Sequence, residues 1–233
     1  MIEHATVLAA SGAVLGIVTV VFALGTRRLK ASSRRFGYAA MVAAGAMSVT
    51  YVLMSADVLT IRTSGGEESL VRFGGYTIVW AAISYVVGSI AGAGRRYTLA
   101  IFGCSLLSIW GTLLTWVLDG TVGTLASATI LVGVIALAGL LYGPVSRIAA
   151  TASGERSLLY SKLKHLILLA WIGLLVTGML SEQNLGLTDS FIGQLIATYI
   201  DLILLVGFGG LVLRSTGALE TTAATSRPDA TAE

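Results

Sequence analysis

The chain alternates long apolar runs with short polar breaks. Seven runs can be drawn, at about 5–26, 35–56, 69–92, 97–118, 122–144, 160–180 and 190–213. Roughly twenty apolar residues at about 1.5 Å rise each cross a bilayer core, so every run is long enough for a spanning helix. The first is free of charge from Ala5 to Gly25; it is too long and too poorly flanked for a cleavable signal peptide and reads as a span. Between the second and third runs, VLTIRTSGGEES alternates and then turns at Ser64-Gly65-Gly66, which predicts a short hairpin. The stretch after Arg214, STGALETTAATSRPDATAE, is rich in Ala, Thr and Ser and reads as a disordered tail over 216–233. The pairs Gly12/Gly16 and Gly88/Gly92 have the spacing of close helix contacts, but among 28 glycines such pairs arise by chance and carry little weight.

Composition turns this pattern into a class. With 233 residues, 55% apolar, 12% charged and a mean hydropathy of +0.87, the chain is an all-α, multi-pass integral protein of the plasma membrane, with one domain over 1–215. Its immediate partner is the lipid bilayer, and nothing suits nucleic acid. The basic residues fall in alternate breaks: Arg27, Arg28, Lys30, Arg34 and Arg35 in the first, Arg95 and Arg96 in the third, Arg147, Arg156, Lys162 and Lys164 in the fifth. The intervening breaks are acid-rich or nearly empty, with Asp57, Glu67 and Glu68 against Arg62, then Asp119, then Glu182 and Asp189. The positive-inside rule therefore puts the N-terminus outside and the C-terminus in the cytoplasm, which requires an odd number of spans. Lys162, Lys164 and His165 read as a solvated helix start.

Little of the side-chain chemistry points to catalysis. A single cysteine, Cys104, excludes internal disulfides and cysteine-based metal sites, and His4 and His165 lie at opposite membrane surfaces. No nucleophile–histidine pair or phosphate-cradling glycine loop occurs, so no enzyme and no metal centre are expected. The exception to the apolar pattern is Asp201, twelve residues beyond Asp189 and thirteen before Arg214, near the bilayer midplane. A carboxylate there costs at least about 2.5 kcal/mol unless it faces the bundle interior and finds a partner. The third run supplies one, since Arg72 opens VRFGGYTIVWAAISYVVG four residues after Glu68. These are the only two deep opposite charges, and they are expected to form a buried ion pair, directly or through water.

The words around Asp201 carry a family resemblance. TYIDLILLVGFGG followed by LVLRS resembles the seventh helix of the microbial (haloarchaeal-type) rhodopsins, the family of bacteriorhodopsin and sensory rhodopsin. The resemblance implies a seven-helix bundle, with a lysine four residues after the aspartate that binds retinal as a Schiff base. Here that position is Leu205, which cannot form an imine. Arg72-Phe73 matches the family's third helix, but the carboxylate position is Gly75, the site eleven residues further is Val86, and Tyr76 replaces a ring-stacking tryptophan. Trp171, thirty residues before Asp201, has the spacing of the family's retinal-packing tryptophan. Beyond it an aromatic-Pro pair becomes Leu174-Leu175, and a second pocket tryptophan becomes Gly178. Tyr51 fits the second helix, while Trp80, Trp110 and Trp116 read as core or interfacial belt residues.

Three functions follow. The first is an opsin-like protein without covalent retinal that regulates or scaffolds another membrane protein, or its own copies, through its helical surface. The second is a noncovalent site for retinal, a carotenoid or another isoprenoid, with Tyr51, Gly75, Tyr76, Trp171, Gly178 and Leu205 as pocket residues. The third is the light-driven transport or photosensing that the family implies.

Overall fold

The computed structural model describes residues 4–63, 66–118, 120–181 and 184–225. Its elements are α1 (His4–Arg27), α2 (Arg34–Ser55), β1 (Thr60–Thr63), β2 (Gly66–Ser69), α3 (Leu70–Ala91), α4 (Gly94–Val117), α5 (Gly120–Tyr142), α6 (Pro144–Ala150), α7 (Gly154–Leu180), α8 (Ser190–Arg214) and α9 (Thr216–Thr225). Among the described residues, seven helices are long and apolar enough to cross a membrane, the fifth counted together with the short helix that continues it. Asp119, Glu182, the Ser64-Gly65 turn and the tail from residue 226 lie outside the described residues.

Sequential helices pack side by side, and α8 closes the bundle against α1, α2 and α7 while α3 crosses to α7. Residues such as Ile17, Ile135 and Leu169 face outward, as lipid-exposed side chains should, and Met47, Tyr51, Trp80, Ile83 and Phe208 fill the interior. Lipid tails are as apolar as leucine, so the hydrophobic effect alone does not hold such helices together; close backbone approach and interhelical hydrogen bonds contribute. A Cβ on Gly12 would lie 2.9 Å from Val52 Cγ2 and 3.1 Å from the Ser48 carbonyl. At the same contact Ser48 Oγ donates to the Gly12 carbonyl at 2.7 Å. A Cβ on Gly16 would likewise lie 3.3 Å from Ser48 Oγ and one on Gly88 would meet Thr98 of α4, so both glycines of the first pair and Gly88 of the second mark close approaches between helices. On α8, a Cβ at Gly209 would enter the ring of Phe22, which is how the glycine-rich end of that helix seats against α1.

The connections define two ends. β1 and β2 pair antiparallel, with Ile61 opposite Glu68 and Thr63 opposite Gly66, and form the hairpin end. The opposite, basic end is tied by Arg156, which donates through Nε to the Ile90 carbonyl at 3.0 Å and so holds the last turn of α3. There Gly92 takes φ +72° and Ala93 N–H bonds back to the Gly88 carbonyl at 2.9 Å, a glycine C-cap.

Three expectations change. Residues 216–225 are helical rather than disordered: Ala218, Leu219, Thr222 and Ala223 form one buried face, and Lys30 Nζ meets Glu220 Oε2 at 2.6 Å. The buried face is made mostly of small residues, a threonine among them, so composition gave no sign of it. The fifth span does not stop at 144: helix α5 ends at Tyr142, Pro144 has no N–H to continue its ladder and starts α6, and the span runs on to Ala150. Lys164 is not solvated; it is buried, 8% exposed, among α5, α6 and α7 side chains.

Gly209→Val should lower stability in detergent by about 1–3 kcal/mol through overpacking against Phe22. Gly210→Val meets nothing within 4 Å and carries the same loss of helix preference. Thermal unfolding of the two variants side by side checks this, and equal losses would remove the packing explanation.

Candidate functional site

Asp201 lies on the inward face of α8 with 1% of its surface exposed. Two phenols converge on one of its oxygens. Tyr51 Oη donates to Oδ2 at 2.5 Å and Tyr76 Oη donates to the same atom at 2.7 Å. Helical periodicity delivers both donors: Tyr51 follows Ala43, Ala44 and Met47 on the buried stripe of α2, and Tyr76 stands one turn after Arg72 on α3. Hydrogen bonds to a charged acceptor are worth more than neutral ones, and inside a bilayer they replace the hydration the carboxylate has lost.

Arg72 does not touch Asp201; no ion pair within 4 Å joins them among the described residues. Its Nη2 donates to Gln194 Oε1, and its Nη1 lies 3.7 Å from Glu68 Oε2. The reason is axial distance. Gln194 precedes Asp201 by seven residues, about 10.5 Å along α8, and the guanidinium sits at the level of Gln194. The expected direct pair is therefore replaced by a relay in which the Tyr76 hydroxyl, bonded to Asp201, also faces Arg72. Gln194 is the member that sequence reasoning missed. It is the one side-chain amide in its apolar run, two turns before Asp201 on the same helix face, and that was the available signal. Its Nε2 donates to Thr198 Oγ1 at 3.2 Å, which fixes its orientation.

Above this relay a cleft of about 200 Å³ opens toward the hairpin end. Glu68, Arg72, Asp189 and Gln194 line its polar part, and Phe73, Tyr76, Trp80, Trp116 and Trp171 its aromatic part. Trp80 and Trp171 pack at 5.2 Å between centroids with planes 33° apart. Two buried N–H groups of the wall, Arg72 Nε and Trp171 Nε1, have no hydrogen-bond partner among the described residues. Of the six pocket residues anticipated from sequence, Tyr76, Trp171 and Gly178 line the cleft, and the Cβ direction of Gly178 is open. The other three lie elsewhere: Tyr51 serves Asp201, Gly75 packs on Thr50 of α2, and Leu205 is 2% exposed within the core. Trp80 and Trp116 are cleft residues rather than only core or belt. Trp110 matches the belt reading, 40% exposed with Nε1 donating to Thr77 Oγ1 at 3.2 Å. Toward the basic end, the buried positions of α3 beyond Trp80 are Ala82, Ile83, Val86, Val87, Ile90, Ala91, Gly88 and Ser84, none of which ionises.

Outside the spans, burial pushes the Glu68 carboxyl above the usual carboxylate range, and Arg72 only partly opposes it. The folded state thus binds this proton more tightly than the unfolded chain. Its contribution to stability is full below the ordinary value of 4.5 and is lost as pH rises through the folded value. Glu68→Gln should flatten the fall in melting temperature between about pH 4 and neutrality; an unchanged pH profile would assign that fall to other groups. At Asp201, Tyr51→Phe and Tyr76→Phe should each be tolerated, because one donor remains. The double variant should lose about 1–3 kcal/mol beyond the sum, and Asp201→Asn should suppress that excess. Thermal unfolding of the set reads the coupling, and additive losses would show that the phenols do not share the carboxylate's load.

The sequence and the fold have known counterparts. The model of the bacteriorhodopsin-like protein family matches residues 3–219. Sensory rhodopsin-2 of Haloarcula vallismortis is 25% identical over 211 residues, covering 87% of this chain and 85% of its own. Cruxrhodopsin-3 of the same organism is 28% identical over 238 residues, covering 97% and 94%. In fold, the thermophilic rhodopsin of Rubrobacter xylanophilus superposes with a TM-score of 0.87 at 17% identity, covering 95% of this chain and 100% of that one. The light-driven proton pump rhodopsin of Coccomyxa subellipsoidea gives 0.80 at 16% identity, covering 91% and 96%. A family match over nearly the whole length, together with seven apolar helices in the same arrangement, makes this chain a member of the bacteriorhodopsin-like family of membrane proteins.

Proposed function

We propose that this chain is a family member that works without covalently bound retinal: neither a light-driven pump nor a photosensor nor an enzyme, but a regulatory or scaffolding protein of the membrane. The observation that carries the reading is the replacement of the imine-forming position by Leu205, packed into the core one turn beyond Asp201. The chain has three lysines, Lys30, Lys162 and Lys164, and none lies on α8 or lines the cleft. Gly75 and Val86 stand where the resemblance places carboxylates of proton transfer, and Val86 is fully buried among apolar neighbours, which supports a bundle that does not relay protons across its length. What such a bundle offers is its lipid-facing surface, to another membrane protein or to its own copies.

A second reading is favoured by the cleft itself, with its aromatic floor and two unpartnered N–H donors. At about 200 Å³ it lies below the 300–1,000 Å³ usual for drug-sized ligands. It suits a small apolar molecule with one hydrogen-bond acceptor better than a complete retinoid or carotenoid.

Incubation of the purified protein with all-trans retinal should give no red-shifted, hydroxylamine-sensitive band. Leu205→Lys alone should give a weak pigment, since Asp201 is already engaged by Tyr51 and Tyr76 and Gly75 supplies no second counterion. Visible spectra before and after hydroxylamine decide both, and a stable pigment from the unmodified chain would overturn the reading.

A further inference from the structure

Besides Arg156, which ties the end of α3, the described residues bury a second cation at the basic end, Lys164, and the functional reading leaves it unused. Lys164 lies on α7 four residues after Tyr160, about 6 Å into the apolar run. Its ammonium sits 4.2 Å from the ring centroid of Tyr142 and 5.7 Å from that of Tyr160, and Nζ reaches Ser146 Oγ at 3.5 Å. The Tyr160 hydroxyl donates to the Leu141 carbonyl, which locks that wall of the cage. Aromatic faces and one hydroxyl stabilise a cation but leave its charge uncompensated.

Among the described residues, no carboxylate forms an ion pair with Lys164. Helices α5, α6 and α7 together carry a single carboxylate, Glu155, nine residues and about 13.5 Å before Lys164 and directed at Gly217 of α9. In sequence, Arg147 follows Ser146 and Lys162 stands two residues before Lys164, so this end of the bundle is rich in positive charge. A buried ammonium among like charges at membrane depth is normally matched by an anion, and among the described residues none is placed against it.

The side on which the cage opens identifies the anion's source. Tyr142 is 52% exposed, and His165, which meets the Tyr142 ring edge-on at 6.0 Å, is also exposed. His165 begins a stripe that continues through Leu169, Ile172 and Val176, exposed to 64%, 56% and 48%. A polar point on an apolar helix face fits an amphiphile whose phosphate rests at the cage and whose acyl chain follows the stripe.

We propose that Lys164, with Ser146 and the Tyr142–Tyr160 cage, is a headgroup site for an anionic phospholipid of the leaflet at the basic end. The site is independent of whether retinal binds, since it lies at the opposite end of the bundle from the cleft. The full chain in mild detergent is offered phosphatidylglycerol or phosphatidylcholine, and retained lipid is counted by native mass spectrometry. The wild type should prefer phosphatidylglycerol. Lys164→Met should reduce that preference roughly fivefold, whereas Lys162→Met, at an exposed lysine, should leave it nearly unchanged and Lys164→Arg should retain most of it. Equal preference in wild type and Lys164→Met overturns the proposal. So does a rise in melting temperature with inorganic phosphate as large as with phosphatidylglycerol, which would assign the site to a free anion. Should Lys164→Met not survive purification, Tyr142→Leu opens the cage from its lipid side, and an unaltered preference in that variant refutes the assignment equally.

Discussion

A carboxylate held out of water in the middle of a bilayer must be supported by the protein on every side, and the arrangement around Asp201 follows from that demand. One oxygen accepts from two phenols on two different helices, so α2, α3 and α8 are fastened at one atom. Losing hydration at this depth costs more than a single neutral hydrogen bond returns, which is why two donors converge and why the residues behind them, Met47 and Phe73, are fully packed. Arg72 is then released from direct service to Asp201. It organises the mouth of the cleft instead, with Glu68 on its own helix side and Gln194 across from it.

The fold was legible because bilayer thickness imposes a length on every span and charge marks every break, so the seven runs and the hairpin declare themselves in composition alone. The site was legible only where a residue type is rare in its context. Asp201, Arg72 and Trp171 stand out against apolar neighbours, and Tyr51 and Tyr76 were noticed through the resemblance. What pattern could not supply was depth. A helix advances about 1.5 Å per residue, and an ion pair inferred from charge alone ignores the two turns between Gln194 and Asp201. Similarly, the burial of Lys164 depends on where Tyr142 and Tyr160 arrive from separate helices, and no local periodicity encodes it.

Two glycines that look alike in sequence behave differently for the same reason. Gly75 is filled from outside by Thr50 and serves helix packing, whereas Gly178 faces open space and helps to shape the cleft. Removing a side chain makes room only where no neighbour advances into it. Trp80 illustrates the converse: its indole packs against that of Trp171, and the two rings fill space along the cleft wall.

The docking of α9 changes how the end of the last span should be handled. Because Leu219 and Ala218 are buried and Glu220 is tied to Lys30, the segment after Arg214 belongs to the folded body rather than to a linker. A reporter or affinity handle joined directly after Arg214 would strip a helix from α3 and α7 and uncover the apolar surface beneath it, while one joined after Thr225 would leave that surface covered. For any attempt to label this protein or to pull its neighbours from a membrane, the choice between those two attachment points decides whether an intact surface is being sampled.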